Sequence, residues 1–337
     1  MREENSAPGL LDEWIARTRL PWPHAIVAVG GTFALLLAVC AALDGVLVEL
    51  VTTDMWRNSL VGPAIVVYIL TASYMLARLN DEAIGAFREL VLTDSASFDK
   101  LVFEASTLDR RKEWLSLLIG AALGLLVFQP WRSPADYFWM KLYWILGVSL
   151  SFGLLGYVVR AAVAEGDQVG RLHDQPLAID LFNPTPLEPI ARHSLGLSLA
   201  FIGGATLSLL FLGPGSLLSP GGIVIYGVTI LVSVLVFFLT MMRTHRVMLE
   251  VKNQELETVR RHLAAAYNEL KTRAEAERWE DMEALSDAIT AWVTYEKRIE
   301  EAPEWPYTTD TLGKLVVSAL LPAVAWLGQI MAELFAR

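Results

Sequence analysis

Long apolar runs alternate with charged segments along the chain. Seven of these runs have the roughly 17 to 25 residues that a helix needs to cross the hydrocarbon core of a bilayer. They lie at 25–43, 60–79, 114–130, 139–160, 194–212, 222–242 and 315–335. The pattern therefore predicts an all-α fold, a polytopic membrane helix bundle with about seven transmembrane helices.

A second pattern, with helical period, follows the sixth run. Neither Gly nor Pro occurs between 228 and 302, and apolar residues recur there at spacings of three and four, as in a coiled-coil seam. The pattern predicts a helical hairpin whose outgoing arm continues helix six and whose return arm leads to helix seven. Its two seams are Leu256, Val259, Leu263, Ala266 and Leu270, and then Met282, Leu285, Ile289, Trp292 and Ile299.

These elements divide the chain into four predicted segments. They are an N-terminal segment at 1–23, a six-helix region at 24–242 with loops at 80–113 and 161–193, the hairpin at 243–307, and the seventh helix at 308–337. Within the second loop, residues 173–193 contain four prolines, which predict an extended segment that packs across the inner surface of the bundle. These prolines are Pro176, Pro184, Pro186 and Pro189.

The distribution of cations predicts the orientation. Of the 27 Lys and Arg, 23 fall on the face that includes the N-terminus and the hairpin, and 4 fall on the other face. Cations favour the cytoplasmic side, so the N-terminus and the hairpin are expected in the cytoplasm and the C-terminus outside. Tryptophans are expected to mark both interfaces, with Trp22, Trp114 and Trp305 at one and Trp56, Trp131 and Trp139 at the other.

Composition narrows the class of protein further. A hydrophobic content of 54% is too high for an ordinary soluble domain and favours an integral protein of a plasma membrane, of the bacterial inner-membrane kind. The net charge is −10, and the acidic residues between 243 and 314 outnumber the cations there. Nucleic acid is therefore not expected as a partner.

Small residues recur at four-residue spacing inside two of the runs. They are Gly120 and Gly124 in the third, and Gly196, Ala200, Gly204 and Ser208 in the fifth. In lipid, such stripes let two helix backbones approach closely. The interpretation is helix packing, with a ligand groove as the alternative.

The motifs of common enzymes are not found in the sequence. The chain has no G-x-S-x-G, no H-E-x-x-H and no phosphate-binding glycine loop. His173, Asp174 and His193 are the nearest approach to a catalytic group, but no activated nucleophile accompanies them. We therefore predict no enzyme, no cofactor and no metal site, with the five histidines solvated or capping helices, and Cys40 as a structural residue.

The seventh run carries the one candidate for a path through the membrane. A polar and small-residue stripe shares one helical face, formed by Ser318, Pro322, Ala325, Gln329 and Glu333. The stripe either packs against the other helices or lines a pore.

Two functions follow from these features. The first is an oligomeric, channel-like membrane protein, in which the hairpin assembles or gates a path lined by helix seven. The second is a non-conducting scaffold or signal transducer whose hairpin binds a soluble cytoplasmic partner. The predicted arrangement resembles, in topology alone, that of the insect odorant and gustatory receptor channels, which favours the first.

Overall fold

The chain is helical through nearly all of the part that the computed structural model describes. The described residues are 9–337 without 54, 93–94, 107–108, 133–136, 174, 176, 184, 212–219, 277–281, 306–312, 322–323, 325–326, 329–330 and 332–337. Within them the β-structure is one isolated antiparallel bridge between Val91 and Leu177. The predicted all-α class is confirmed.

Ten helices are numbered here in chain order. They are α1 Leu10–Thr18, α2 Trp22–Leu43, α3 Leu47–Thr52, α4 Met55–Leu90, α5 Ser95–Ser106, α6 Arg110–Phe128, α7 Phe138–His173, α8 Glu188–Phe211, α9 Pro220–Glu275 and α10 Met282–Glu300. Short 3-10 turns lie at Pro130–Arg132 and Thr185–Leu187. Residues 313–321, which follow α10, are helical as well.

Five stretches have the length and the apolar composition to cross a membrane. They are Trp22–Leu43, Met55–Leu90, Arg110–Arg132, Phe138–Ala164 and Thr185–Phe211. They coincide with the first five predicted runs, so the chain has the helices of an integral membrane protein. The sixth run lies inside α9, and the seventh is described only in part. The total of seven stays a prediction.

Several helices extend beyond the predicted runs. Helices α4 and α7 each have 36 residues, and both continue well past the apolar run that they contain. Helix α8 begins at Glu188, so Pro189 lies in its first turn, where the missing N–H of proline costs no hydrogen bond. The prediction that all of 173–193 is extended was therefore wrong for its last residues.

Helices α6 and α7 approach each other through glycines. A Cβ added at Gly120 would lie 2.2 Å from the carbonyl oxygen of Phe152, and one added at Gly156 would lie 2.4 Å from the carbonyl oxygen of Ser116. A Cβ at Gly124 would overlap the Phe152 side chain. The predicted role of Gly120 and Gly124 in helix packing is confirmed.

Polar groups at the predicted outer end of the bundle cap helices. Asp44 accepts hydrogen bonds from the backbone N–H groups of Trp139 and Met140 in the first turn of α7. Arg57 donates from Nη2 to the carbonyl oxygen of Leu210, near the end of α8, at 3.0 Å. Both contacts satisfy groups that a helix terminus leaves without an intrahelical partner.

The buried apolar residues form three clusters. One lies between α2, α4 and α7 around Phe33, Val66 and Tyr143. A second joins α4, α5, α7, α8 and α9 around Phe87 and Met241, and Leu315 belongs to it. The third lies between α9 and α10. These clusters place one core in the membrane-crossing region, one at its base and one in the helix pair beyond it.

Candidate functional site

Helices α9 and α10 pack side by side in opposite directions. Successive contacts join residue 245 to 305, 252 to 302 and 260 to 296, so one number rises as the other falls. Buried Val259, Leu263, Ile289 and Ile299 form the centre of their shared core. Of the predicted seam residues, the same cluster also contains Leu256, Ala266, Leu270, Leu285 and Trp292. Met282 is half-buried and lies outside this cluster.

A buried lysine ties the end of α10 to α9. The Lys252 side chain is 8% exposed, and its ammonium donates to the carbonyl oxygens of Glu300 and Ala302 at 2.9 and 3.0 Å. A third bond reaches the Glu304 carboxylate at 3.0 Å. All three N–H groups of the ammonium thus have acceptors, and the positive charge lies at the negative end of the α10 dipole.

Two histidine–tryptophan stacks join the same two segments. His245 of α9 lies parallel to the Trp305 ring with centroids 3.9 Å apart, and its Nδ1 is 2.7 Å from the carbonyl oxygen of Glu304. About five turns further along α9, His262 stacks on Trp292 of α10 at 5.0 Å. These contacts fix the spacing of the two segments near the bundle and near the middle of the pair.

The segment between α7 and α8 connects this pair to the membrane bundle. We call its residues 177–183 the strap. At one end Ala178 donates its backbone N–H to the carbonyl oxygen of Leu90 at 2.8 Å, and Leu177 packs on the core at the base of the bundle. At the other end Leu181, 4% exposed, belongs to the core between α9 and α10. The strap therefore contacts both bodies.

Phe182 extends the strap contact onto α10. Its ring lies 5.9 Å from that of Tyr295, and the guanidinium carbon of Arg298 lies 4.8 Å from its centroid. Both arrangements are favourable ring contacts. Together, Leu181, Phe182, Lys252, His245 and residues 300–305 form the clamp, the name used below for this set.

Ion pairs reinforce the outer surface of α9 and α10. Arg260 Nε lies 2.7 Å from Glu296 Oε1, and its Nη2 lies 2.9 Å from Glu300 Oε1. The hydrogen bond that Arg260 donates to Glu296 raises the pKa of Arg260 above its ordinary value, so this cation keeps its charge. Exposed pairs of this kind add little free energy. The apolar core and Lys252 therefore hold the helices together.

The clamp is held together by hydrogen bonds, one ion pair and ring contacts. Within it the Lys252 ammonium bonds two backbone carbonyls and the Glu304 carboxylate, and His245 Nδ1 contacts the carbonyl oxygen of Glu304. Among the described residues, no group of three or more His, Cys, Asp and Glu side chains is close enough to hold a metal ion.

The described histidines agree with their prediction only in part. His193 is 6% exposed and lies within α8, so of its two predicted states, solvated or capping a helix, the solvated one was wrong. His245 and His262 are stacked on tryptophans, an arrangement that their sequence positions do not reveal. His24 is exposed. Asp174 and the side chain of His173 lie outside the described residues, so the possible grouping of His173, Asp174 and His193 is not tested.

The predicted pore stripe is described at one position. Ser318 is half-buried, beside Leu315 and Ala319, which pack on the base core. The described apolar residues on the other sides of this helix are exposed, and they include Val316, Val317, Leu320, Leu321, Val324 and Leu327. Pro322, Ala325, Gln329 and Glu333 lie outside the described residues.

Sequence reasoning missed the clamp, although signals for it exist. Lys252 lies four residues before Leu256 and therefore occupies a seam position itself, where a cation is unusual unless it has partners. Leu181 is an apolar residue in a short proline-bounded connection, where exposed polar residues are the rule. Each exception marks a contact with another element.

The described structure brings some predicted residues together and leaves others apart. It unites the seams of α9 and α10 and adds the clamp to them, while the pore stripe stays untested. Comparison of the chain with models of protein families, with curated proteins and with solved structures finds no match.

Proposed function

We propose that this integral membrane protein is a transducer, in which a cytoplasmic helical hairpin formed by α9 and α10 moves as one body with the membrane helices. A soluble partner that binds the hairpin would act on the membrane region through this connection. The observation that carries the proposal is the continuity of α9, a single helix of 56 residues. At 1.5 Å per residue it is about 84 Å long.

Continuity alone would leave α10 free to swing, and the clamp supports the rigid alternative. Lys252 anchors the end of α10 to α9 just before the chain enters the last helix. Residues 313–321 then continue that chain, and Leu315 packs with Met241 of α9 in the base core. A displacement of the hairpin would thus reach both the sixth and the seventh predicted membrane helices.

The strap adds a second route from the hairpin to the bundle. Because Leu181 is buried between α9 and α10 while Ala178 is bonded to the end of α4, a movement of the hairpin also pulls on α4. Two separate connections favour coupled motion over a flexible tether. They also explain why a short, proline-bounded segment is useful at this place.

An unclamping variant tests the proposal. Leu181→Asp puts a charge into the hairpin core. The distance between spin labels at exposed Tyr267 and Leu118, measured by double electron–electron resonance, reports whether the hairpin moves. An environment-sensitive probe at exposed Val317 reports the membrane helix. All variants carry Cys40→Ala, which removes the native thiol.

The expected result is a changed distance together with a changed signal at Val317. Arg261→Gln, which alters an exposed pair on the hairpin surface, is the matched control and should change neither. If the hairpin moves and the signal at Val317 stays as in the parent protein, the hairpin and membrane helices are uncoupled and the proposal fails.

A second candidate is the oligomeric, channel-like function. The seventh helix favours it, because the sequence predicts a polar and small-residue stripe along it, while most of its described apolar side chains are exposed. In a ring of subunits these stripes would face a common axis, and the hairpin would gate or assemble the ring. Within one chain, the same stripe would instead pack against neighbouring helices.

Mass measurement and ion flux separate the two candidates. A channel requires purified protein that is oligomeric and that conducts ions in liposomes, with Gln329→Leu reducing the flux. A protein that is monomeric and gives no flux contradicts the channel and leaves the transducer. For the transducer, partner binding should depend on the seam residues between 256 and 299 and should be insensitive to Gln329→Leu.

A further inference from the structure

The corner where α1 meets the start of α6 exposes cations next to exposed apolar residues of α6. An ion pair between Glu13 and Arg110 joins the two helices, and buried Leu11 and Ile15 fix α1 against the bundle. We propose that this corner binds an anionic phospholipid, with Arg17 and Arg111 holding its phosphate.

One face of α6 has the order of groups that a phospholipid presents. Arg111, Trp114, Leu115 and Leu118 follow at spacings of three, one and three and therefore share a face. Trp114 is 50% and Leu118 is 59% exposed. Along the axis Arg111 lies about 4.5 Å from Trp114 and about 10.5 Å from Leu118, so the cation is at headgroup level, the indole at the interface and the leucines along the acyl chains.

Helix α1 supplies the second cation and a second aromatic ring. Trp14 and Arg17 are three residues apart on its exposed side, and Arg17 lies one turn beyond Glu13, the partner of Arg110. The exposed indole of Trp14 adds to the interfacial surface that Trp114 begins.

Some cations at this corner form ion pairs with acidic residues that the structure describes, and others do not. Arg110 is paired with Glu13, and Lys112 lies 3.9 Å from Asp109. Arg17 and Arg111 have no ion pair with any residue in the described part of the chain. Guanidinium groups bind phosphate oxygens bidentately, so these two arginines are the natural ligands of a phosphate group.

The neighbouring surface decides which phosphate is bound. A soluble phosphate would gain nothing from Leu115 and Leu118, whereas a phospholipid buries its chains against them. A zwitterionic headgroup would bring a positive charge to the same arginines. The occupant is therefore an anionic phospholipid, and each juxtamembrane cation contributes about fivefold to its affinity.

The test counts lipids bound to the full-length protein in detergent by native mass spectrometry. Phosphatidylglycerol is expected to bind in preference to phosphatidylcholine. The double substitution Arg17→Gln with Arg111→Gln should weaken the first phosphatidylglycerol about 25-fold. The charge-retaining pair Arg17→Lys with Arg111→Lys should lose much less.

The matched control removes two exposed cations from α9, by Arg261→Gln with Lys271→Gln, and should bind as the parent protein does. Equal binding of the two lipids by the parent protein overturns the proposal. So does undiminished phosphatidylglycerol binding by the Arg17→Gln and Arg111→Gln protein. Displacement of the lipid by millimolar inorganic phosphate would assign the site to a soluble anion and would overturn it as well.

Discussion

Lys252 and Glu304 form an ion pair of 3.0 Å between the middle of α9 and the chain that leaves α10. The lysine side chain is nearly buried, whereas the carboxylate is partly exposed to solvent. The same ammonium bonds two backbone carbonyls. Lys252 is therefore the residue on which the geometry at the end of the hairpin most depends.

Replacing Lys252 by Met keeps the aliphatic stem and removes the charge. The carbonyls of Glu300 and Ala302 then lose their donor in a place that water reaches poorly. The expected cost is on the order of 2 kcal/mol, and amide hydrogen exchange in the last turns of α10 should become about 30-fold faster. Mass spectrometry of peptides from residues 290–305 measures this.

Lys271 provides the comparison for Lys252. It forms an exposed pair with Glu275 at 3.9 Å on the same helix, where a pair of this kind contributes little. Lys271→Met should leave the exchange of α10 unchanged. Equal exchange rates in the Lys252→Met and Lys271→Met proteins would mean that the buried ammonium does not hold α10.

Truncation of Leu181 tests the strap separately from Lys252. Leu181→Ala leaves a cavity between α9 and α10, and a buried leucine truncated in this way typically costs about 2 to 5 kcal/mol. Faster amide exchange is expected in the strap and in α10 around Ile289 and Ile299. Leu92, which is exposed beside the same bridge, is the control, and Leu92→Ala should leave these rates unchanged. Unaltered exchange after Leu181→Ala would contradict the contact.

The glycine contact between α6 and α7 predicts that alanine destabilises the protein at Gly120, whereas alanine at Gly85, outside this contact, stabilises it. Gly120→Ala places a methyl group against the carbonyl oxygen of Phe152, and overpacking of this kind costs about 1 to 3 kcal/mol. Gly85 lies in α4 with open space around its Cα, so Gly85→Ala should stabilise by about 0.5 to 1 kcal/mol. The thermal unfolding temperature in detergent should fall for Gly120→Ala and rise for Gly85→Ala. A rise for Gly120→Ala would rule out the close approach.

The helices could be predicted from the sequence because apolar runs and seams depend only on residues that are close together along the chain. The continuity of α9 follows from the lack of Gly and Pro across the membrane boundary. The extents of α4 and α7 beyond the membrane were not predicted. Their continuations lack an apolar run, and the packing of Phe87 and Leu172 into the base core stabilises them.

The clamp depends on contacts between residues far apart in sequence, and for this reason it was not predicted. Lys252 meets an acceptor 52 residues later, and Leu181 meets α9 and α10 from another part of the chain. The sequence marks such residues as exceptions to a local pattern, a buried cation or a buried apolar residue in a connection. It does not identify their partners, which the fold alone brings close.

A contact at the predicted outer end of the bundle is expected to respond to pH. The hydroxyl of Tyr137 donates to Glu49 Oε2 at 2.8 Å, and this hydrogen bond raises the pKa of Tyr137 above its ordinary value near 10. Since the pKa is raised in the folded protein, the stability that the contact adds is present below pH 10 and is lost as the pH rises through the higher folded value. Ultraviolet titration of tyrosinate in the parent and Glu49→Gln proteins measures this, with Tyr137→Phe to assign the signal. An identical titration in the first two would contradict the hydrogen bond.

The orientation of the chain in the membrane decides which side the hairpin occupies. The prediction rests on 23 of 27 cations lying on the side of the N-terminus and the hairpin, since cations are retained on the cytoplasmic side. A reporter that is active only outside the cytoplasm, fused after Arg337, should therefore be active, and the same reporter inserted between α9 and α10 should be silent. Activity in the second fusion would put the hairpin outside and remove a cytoplasmic partner from the proposal. If neither fusion is active, the hairpin and Arg337 both lie in the cytoplasm. The chain would then cross the membrane an even number of times before Arg337, and the seventh helix would turn back without crossing.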